Sequence, residues 1–336
     1  MSYSSSTATT LASDVVKQGN GGSLVHRVPL QSTSSPTGQS HAGLTIPDTL
    51  TGKAPYQYVP FLRQMYFLMR ALYVMFVVEF PLLWHRMFQG ARNSRADAEG
   101  PFYISGAPNV QIAEGKAVIA SREDLEENPP YLLSLRIVSP SGKPVPYATV
   151  DFWQATIEGL YYNSKYRLRG VFKTDADGRC EVLTILPGAY GFGQGEGGEL
   201  RFARAGHFHL RISPPETGEM RNLERLTSQI YVCPKNDPAP VFNDFVNYLR
   251  PARPQNMIES WASPAFYPSL STPPYATHAA KFAFPPIPPT RMDVLKSIEW
   301  WNTVLAERFV GGQELKVMAT GETSIALNKQ PLLYLY

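Results

Sequence analysis

Between Tyr131 and Val232 the chain is written as short runs of β-branched and aromatic residues cut apart by turn residues, and this spacing constrains the fold more than any other feature. The predicted strands are Leu132–Val138, Ala148–Trp153, Val171–Thr174, Cys180–Ile185, His207–Ile212 and Thr227–Val232. Ser141-Gly-Lys-Pro144, Asp175-Ala-Asp-Gly178 and Pro187-Gly188 punctuate them. Runs of this length, alternating with Gly, Pro and Asp, suit a mainly β chain folded as a β-sandwich with little helix.

Inside this region His207 and His209 stand one residue apart in HFHL. On a strand that spacing turns both imidazoles to one face. A His-x-His pair alone is as compatible with structural histidines as with a metal site. Tyr161 and Tyr190 are further candidate donors, with Tyr162 and Tyr166 close enough to Tyr161 to compete for its role. Two phenolates and two neutral imidazoles are a donor set for a hard, trivalent ion such as Fe(3+). Phenolate oxygen neutralises its charge and lets it sit in a dry interior.

Several ordered segments carry a resemblance. AEGPFYISGAP at 98–108, GKPVPYATVDFWQA at 142–155, LRGVFKTDADG at 168–178 and LTSQIYV at 226–232 surround the WQATIEGLY, TILPGAYG and RAGHFH strings. Together they resemble the intradiol ring-cleavage dioxygenases, the family of catechol, hydroxyquinol and protocatechuate dioxygenases. The resemblance runs from about Ala98 to about Val232.

It implies a non-haem Fe(3+) held by Tyr161, Tyr190, His207 and His209. Tyr161 is preferred over its neighbours because the family tyrosine stands two residues after a glycine, here Gly159. The resemblance also implies that Tyr190 leaves the metal when a diol chelates it and accepts a proton, that Arg204 steadies negative charge on the ring, and that Gln229 supports Arg204. Ala98 and Pro101 would wall the substrate. The implied reaction cleaves a catechol or hydroxyquinol between its hydroxylated carbons, places both atoms of O2 in a muconate-type diacid, and uses no NADH or flavin. An iron-dependent relative acting on a bulkier natural-product aromatic is the alternative within this class.

A rival of another class is a non-catalytic β-sandwich binding module, since GKPVPYATV and TDADGRCEVLTILPGAY occur in such modules too. A plain module needs neither Tyr161 nor the His207/His209 pair, and the donor set favours the enzyme. The departures are local. Ala205-Gly206 precede His207 where the family often has Arg-Pro, which implies a more pliable turn. Gly191–Leu200 reads as a flexible loop, and SPPETGEMRNLERL lengthens the stretch between His209 and Gln229. The GxGxxG string at 193–198 lacks a strand-helix setting and is no nucleotide site.

Outside this core the chain divides into a disordered tail (1–50), a helical segment (51–97), the core (98–250) and a Pro-rich extension (251–336). The apolar stretch Tyr56–Gln89 lies where the family carries a helical dimer contact, so a homodimer is the first reading and contact with lipid the second. Its longest uncharged run, Ala71–Val78, is short for a membrane span. A short helix is predicted around Val241–Leu249. An amphipathic helix is predicted over Arg291–Phe309, with Thr290 as N-cap, Asp293 in the first turn, and Val294, Ile298, Trp301, Leu305 and Phe309 on one face. The apolar end QPLLYLY is expected to dock on protein. A net charge of +3 with no basic stripe argues against nucleic acid as a partner, and two cysteines in no metal pattern fit a reducing, cytoplasmic setting.

Overall fold

The computed structural model describes residues 44, 56–78, 93–194, 200–249, 253–265, 283–308 and 314–330. The expected tail apart from Leu44, the part of the apolar stretch beyond Val78, the tip of the 191–200 loop, Phe309 and the QPLLYLY end after Gln330 lie outside the described residues.

In chain order the elements begin with helix α1 (Phe61–Tyr73), which continues as a π-helical turn over Val74–Val78. Strands β1 (Gln111–Ala113) and β2 (Lys116–Val118) precede helix α2 (Arg122–Glu127). Ser121 and Asp124 close a reciprocal capping box at the start of α2, which satisfies two N–H groups that a free helix end would leave bare. Strands β3 (Pro130–Val138), β4 (Thr149–Gln154), β5 (Arg169–Lys173) and β6 (Arg179–Ile185) follow. The hairpin β7 (Tyr190–Gln194) and β8 (Leu200–Arg204) leads into β9 (His207–Ser213) and β10 (Leu226–Tyr231). Short helices α3 (Ala239–Phe242) and α4 (Phe245–Leu249), strand β11 (Glu259–Ala262), helix α5 (Met292–Arg308) and strand β12 (Ala319–Ala326) complete the described chain.

A six-stranded sheet has the order β1-β2-β6-β3-β12-β11, and a four-stranded sheet the order β10-β9-β4-β5. Leu133, Leu135, Ile137 and Val182 from the first share one hydrophobic core with Val150, Phe152, Phe208, Leu210 and Ile212 from the second. The period-2 alternation of β9 therefore matters twice: Phe208, Leu210 and Ile212 join the core, and His207 and His209 take the other face.

Four expectations change. The 191–200 stretch is not simply a loop, because β7 and β8 pair with Tyr190 opposite Arg204 and Phe192 opposite Phe202. The C-terminal extension brings strands as well as a helix: β12 pairs parallel with β3 over Ala319–Ala326, and β11 adds beyond it. The helix expected near Val241–Leu249 is two helices, broken at Asn243-Asp244, where the Asp244 carboxylate accepts the Val246 N–H at 3.0 Å and caps the second. Helix α5 starts at Met292, so Arg291 and not Thr290 flanks it, and its Val294, Ile298, Trp301 and Leu305 are buried.

Phe61–Val78 is long and apolar enough to cross a membrane by length and composition alone, and almost none of it is buried. Its two cations both bond to the protein, Arg63 from an exposed position and Arg70 from a half-buried one. Arg63 donates to the Tyr166 hydroxyl at 2.9 Å, and Arg70 forms a two-armed pair with Glu99. With both charges spent on the protein, Leu62, Met65, Tyr66, Met69, Tyr73 and Phe76 present an exposed apolar face.

Candidate active site

Four aromatic donors from three separated segments meet beside β9. The His207 and His209 rings lie 4.6 Å apart, centre to centre. Tyr190 stands 5.6 Å from His207, Tyr161 stands 6.2 Å from His209, and the two phenol rings are 5.3 Å apart, edge to face.

Glycine lets these segments touch. A Cβ on Gly188 would sit 2.1 Å from the Ile157 carbonyl oxygen, and one on Gly159 would sit 2.4 Å from that of Ala189. Gly159 also has φ +82, which side chains disfavour. The backbone around Thr156–Gly159 can therefore lie directly on Pro187–Ala189, where Gly188 N–H donates to Thr156 O at 2.9 Å. This crossing delivers Tyr161 and Tyr190 to one place. Gly206 serves packing too, not pliability: its α-carbon faces the Pro187 carbonyl, and its own carbonyl accepts the Val232 N–H at 3.0 Å.

The donors are poised as a set. His207 Nδ1 lies 2.6 Å from the Ala205 carbonyl, so that nitrogen carries the proton and Nε2 keeps its lone pair. That Nε2 points at His209 Nε2, 3.0 Å away. Two imidazole nitrogens bound to one metal ion at ~2.1 Å and a right angle would be ~3.0 Å apart. Burial, together with the Arg204 charge, holds both histidines well below their usual pKa and keeps them neutral. Burial pushes both phenols up, Tyr161 further than Tyr190, which has Arg204 beside it. The Tyr161 hydroxyl is buried with no hydrogen bond of good geometry, the Tyr190 phenol being its polar neighbour, and His209 Nδ1 is buried without a hydrogen-bond partner. An unsatisfied buried hydroxyl is costly, and such a group in a native site calls for an explanation. Among the described residues no three His, Cys, Asp or Glu side chains gather for a metal. A cation here would have to be held by phenol oxygen and imidazole nitrogen together, and the residues present fit a trivalent ion of iron's hardness.

The surrounding shell is aromatic and dry. Trp153 stacks on His209 at 4.7 Å and 8°. Phe102 stacks on Tyr161 at 4.4 Å and 12°. The 98–102 loop that carries Phe102 is clamped at both ends: Gln229 Nε2 donates to Ala98 O at 2.7 Å, and Arg169 Nη1 donates to Phe102 O at 2.6 Å. Gly100 comes close enough that a Cβ there would lie 3.6 Å from His209. Of the two wall residues read from the sequence, Ala98 is buried and anchored by its carbonyl, and Pro101 sits beside the ring that covers Tyr161, which is Phe102. Tyr162 and Tyr166 point elsewhere: Tyr162 accepts from Arg167 at 3.0 Å, and Tyr166 serves Arg63 and the Ser105 carbonyl.

Arg204 is almost wholly buried and reaches Tyr190 Oη at 3.4 Å and Gln229 Oε1 at 2.8 Å. Its carboxylate partner, Asp244, was not visible as such in the sequence, because forty residues separate the two. Phe102, Trp153, Arg169 and Tyr231 were likewise missed as site residues. Each lies in a string that also reads as ordinary strand or loop, and only the packing brings them to the donors.

A second, half-buried acid behaves differently. Asp151 accepts from the Tyr103 hydroxyl at 2.8 Å, and burial pushes its pKa up to about 6 against the partial relief that Tyr103, Arg211 and Arg169 provide. A carboxyl whose folded pKa lies above its unfolded ~3.9 favours the fold at low pH, and that contribution is lost as pH rises through 6. Asp151→Asn should therefore stabilise the protein by about 1–2 kcal/mol at pH 8 and by almost nothing at pH 4. Urea unfolding at the two pH values checks this, and an equal effect at both would contradict it.

A family model described as Dioxygenase matches residues 98–265, half of the chain. Catechol 1,2-dioxygenase 1 of Acinetobacter lwoffii is 36% identical over 100 residues, covering 28% of this chain and 31% of that protein. Hydroxyquinol 1,2-dioxygenase of a Rhizobium species is 32% identical over 142 residues, covering 38% and 45%. The chain belongs to the intradiol ring-cleavage dioxygenase family, whose members are oxidoreductases. Its matches span less than half the length of these curated relatives. A crystal structure of a catechol 1,2 dioxygenase point mutant from Acinetobacter radioresistens shares the fold at 17% identity, with a TM-score of 0.50 over 81% of this chain and 77% of that one.

Proposed function

We propose that this chain is a non-haem iron(III) dioxygenase that opens a catechol or hydroxyquinol ring between its two hydroxylated carbons and yields a muconate-type diacid. The reading is carried by one observation: two neutral imidazoles with converging Nε2 atoms cluster with two buried phenols, one of them without a hydrogen bond of good geometry. Tyr161, Tyr190, His207 and His209 would hold the ion. When bound, ferric iron would supply the Lewis acidity that holds a diol as its dianion and draws electron density from the ring.

The chain's own residues supply the rest. Tyr190, at the open end of a hairpin, would stand as a phenolate with the ion bound, its charge held by the Arg204 guanidinium, and would take a hydroxyl proton at Oη as the diol enters. Arg204 stabilises negative charge that develops on the ring, and burial strengthens that effect. Gln229 holds Arg204 with its oxygen and the wall loop with its nitrogen, so the cation and the wall share one support. Trp153 and Phe102 exclude water from the donors. In this reading the two sheets form a β-sandwich, the amphipathic α5 covers the six-stranded sheet across β6, and the apolar face of α1 pairs with a second copy of the chain.

Iron-loaded protein should be wine-red from phenolate-to-iron charge transfer, the band should move on adding catechol without air, and oxygen uptake should accompany diacid formation. A folded, iron-supplemented protein that stays colourless and consumes no oxygen would favour the binding-module alternative.

A further inference from the structure

Arg204 has three guanidinium nitrogens and each is held by a different part of the fold. Nη2 donates to Gln229 on β10, and Nη1 faces the Tyr190 hydroxyl at the start of β7. Nε lies 3.2 and 3.1 Å from the two oxygens of Asp244, which is fully buried between α3 and α4. The same carboxylate accepts the Ala205 N–H at 3.2 Å and the Val246 N–H at 3.0 Å. Four contacts from three donors leave it little freedom. The next residue, Phe245, sets its ring edge-on to Phe192 at 5.3 Å, so the start of α4 braces both strands of the hairpin that bears Tyr190 and Arg204.

We propose that Asp244 is a positioning residue for the ring-opening reaction, acting through Arg204; the proposal rests on the dioxygenase reading given above. A guanidinium is planar, so fixing Nε and Nη2 decides where Nη1 points. Asp244 and Gln229 hold those two corners, which leaves the Nη1 corner directed at Tyr190 and the space beside it. Asp244 also removes the cost of an unpaired buried cation, which would otherwise pull Arg204 toward solvent or toward the donors themselves. Its grip on Ala205 N–H steadies the residue whose carbonyl orients His207. Amide in place of carboxylate turns one acceptor into a donor facing Arg204 and breaks this arrangement without changing volume.

The test is a double-mutant cycle on the iron-loaded full chain: wild type, Asp244→Asn, Arg204→Gln and the pair. Asp244→Asn is expected to keep its iron content and visible band and to lower kcat roughly 10- to 100-fold with little change in KM. Because Asp244 acts through Arg204, adding Asp244→Asn to Arg204→Gln should lower kcat by no more than about twofold further. Independent, multiplying losses, or an unchanged kcat in Asp244→Asn, would overturn the proposal, as would loss of the band together with the activity, which marks a structural role. Should Asp244→Asn fail to fold, Asp244→Glu, which keeps the charge and moves it by one methylene, takes its place in the cycle. A wild type that takes up no oxygen defeats the dioxygenase reading first and this proposal with it. An active wild type with additive losses defeats this proposal alone.

Discussion

Tyr161→Phe should make the metal-free protein more stable and the iron-loaded protein useless. The hydroxyl it removes is buried with no hydrogen bond of good geometry, so the metal-free fold carries a desolvation cost that the variant is spared, about 1–2 kcal/mol. The ring remains and keeps its stacking on Phe102 and its edge contact with Tyr190. The packing is kept, and only the poorly aligned contact with the Tyr190 hydroxyl is lost against the gain. With iron supplied, the variant lacks one oxygen donor of the four. Loss of a support one shell further out already costs 10- to 100-fold, so loss of the donor itself should lower oxygen uptake by at least ~100-fold and bleach most of the visible band. Urea unfolding of chelator-treated protein, beside uptake by the iron-loaded form, reads both signs. A variant less stable than wild type without metal would mean that the hydroxyl has a structural bond, and the functional reading would lose its chief support.

The second large effect is expected at a residue with no chemistry. Gly188→Ala would put a methyl 2.1 Å from the Ile157 oxygen, 2.5 Å from its carbon and 2.7 Å from Gly159 N. All three are backbone atoms, so no flexible side chain can give way, and the two crossing segments must part. The cost should be about 2–4 kcal/mol, in the range for overpacking a well-filled site. Because Tyr161 and Tyr190 ride on those segments, iron retention should fall as well. Gly142→Ala is the control: it has φ +80 but nothing within 4 Å of a new Cβ, so only the backbone term of about 1–2 kcal/mol applies. Equal destabilisation and equal iron content in the two variants would refute the crossing as the device that assembles the site.

Much of this architecture was legible from local pattern. The alternation HFHLRI assigns Phe208, Leu210 and Ile212 to one face of β9 and the two histidines to the other, because strand geometry has a period of two whatever surrounds it. The turn residues at Asp175–Gly178 mark a tight connection, and the structure has Gly178 at φ +67 with its N–H on Asp175 O at 3.1 Å. The 191–200 stretch was misjudged because its glycines outweigh its few strand formers, yet Phe192 and Phe202 stack at 5.0 Å once the chain doubles back. Strand β12 is hidden for a related reason: ATGETSIA is mostly small and polar with no alternation, and it gains its β character from lying beside β3.

The amino-acid order by itself determined the candidate donor types and the facing of the two histidines, since these depend on side-chain chemistry and on the repeat of an extended backbone. Tertiary structure alone decided that Asp244 belongs to Arg204, that Phe102 covers Tyr161 and that Thr156–Gly159 lies against Pro187–Ala189. Those pairings join residues far apart in the chain, and no local propensity encodes a contact whose energy exists only after both partners have been brought out of water.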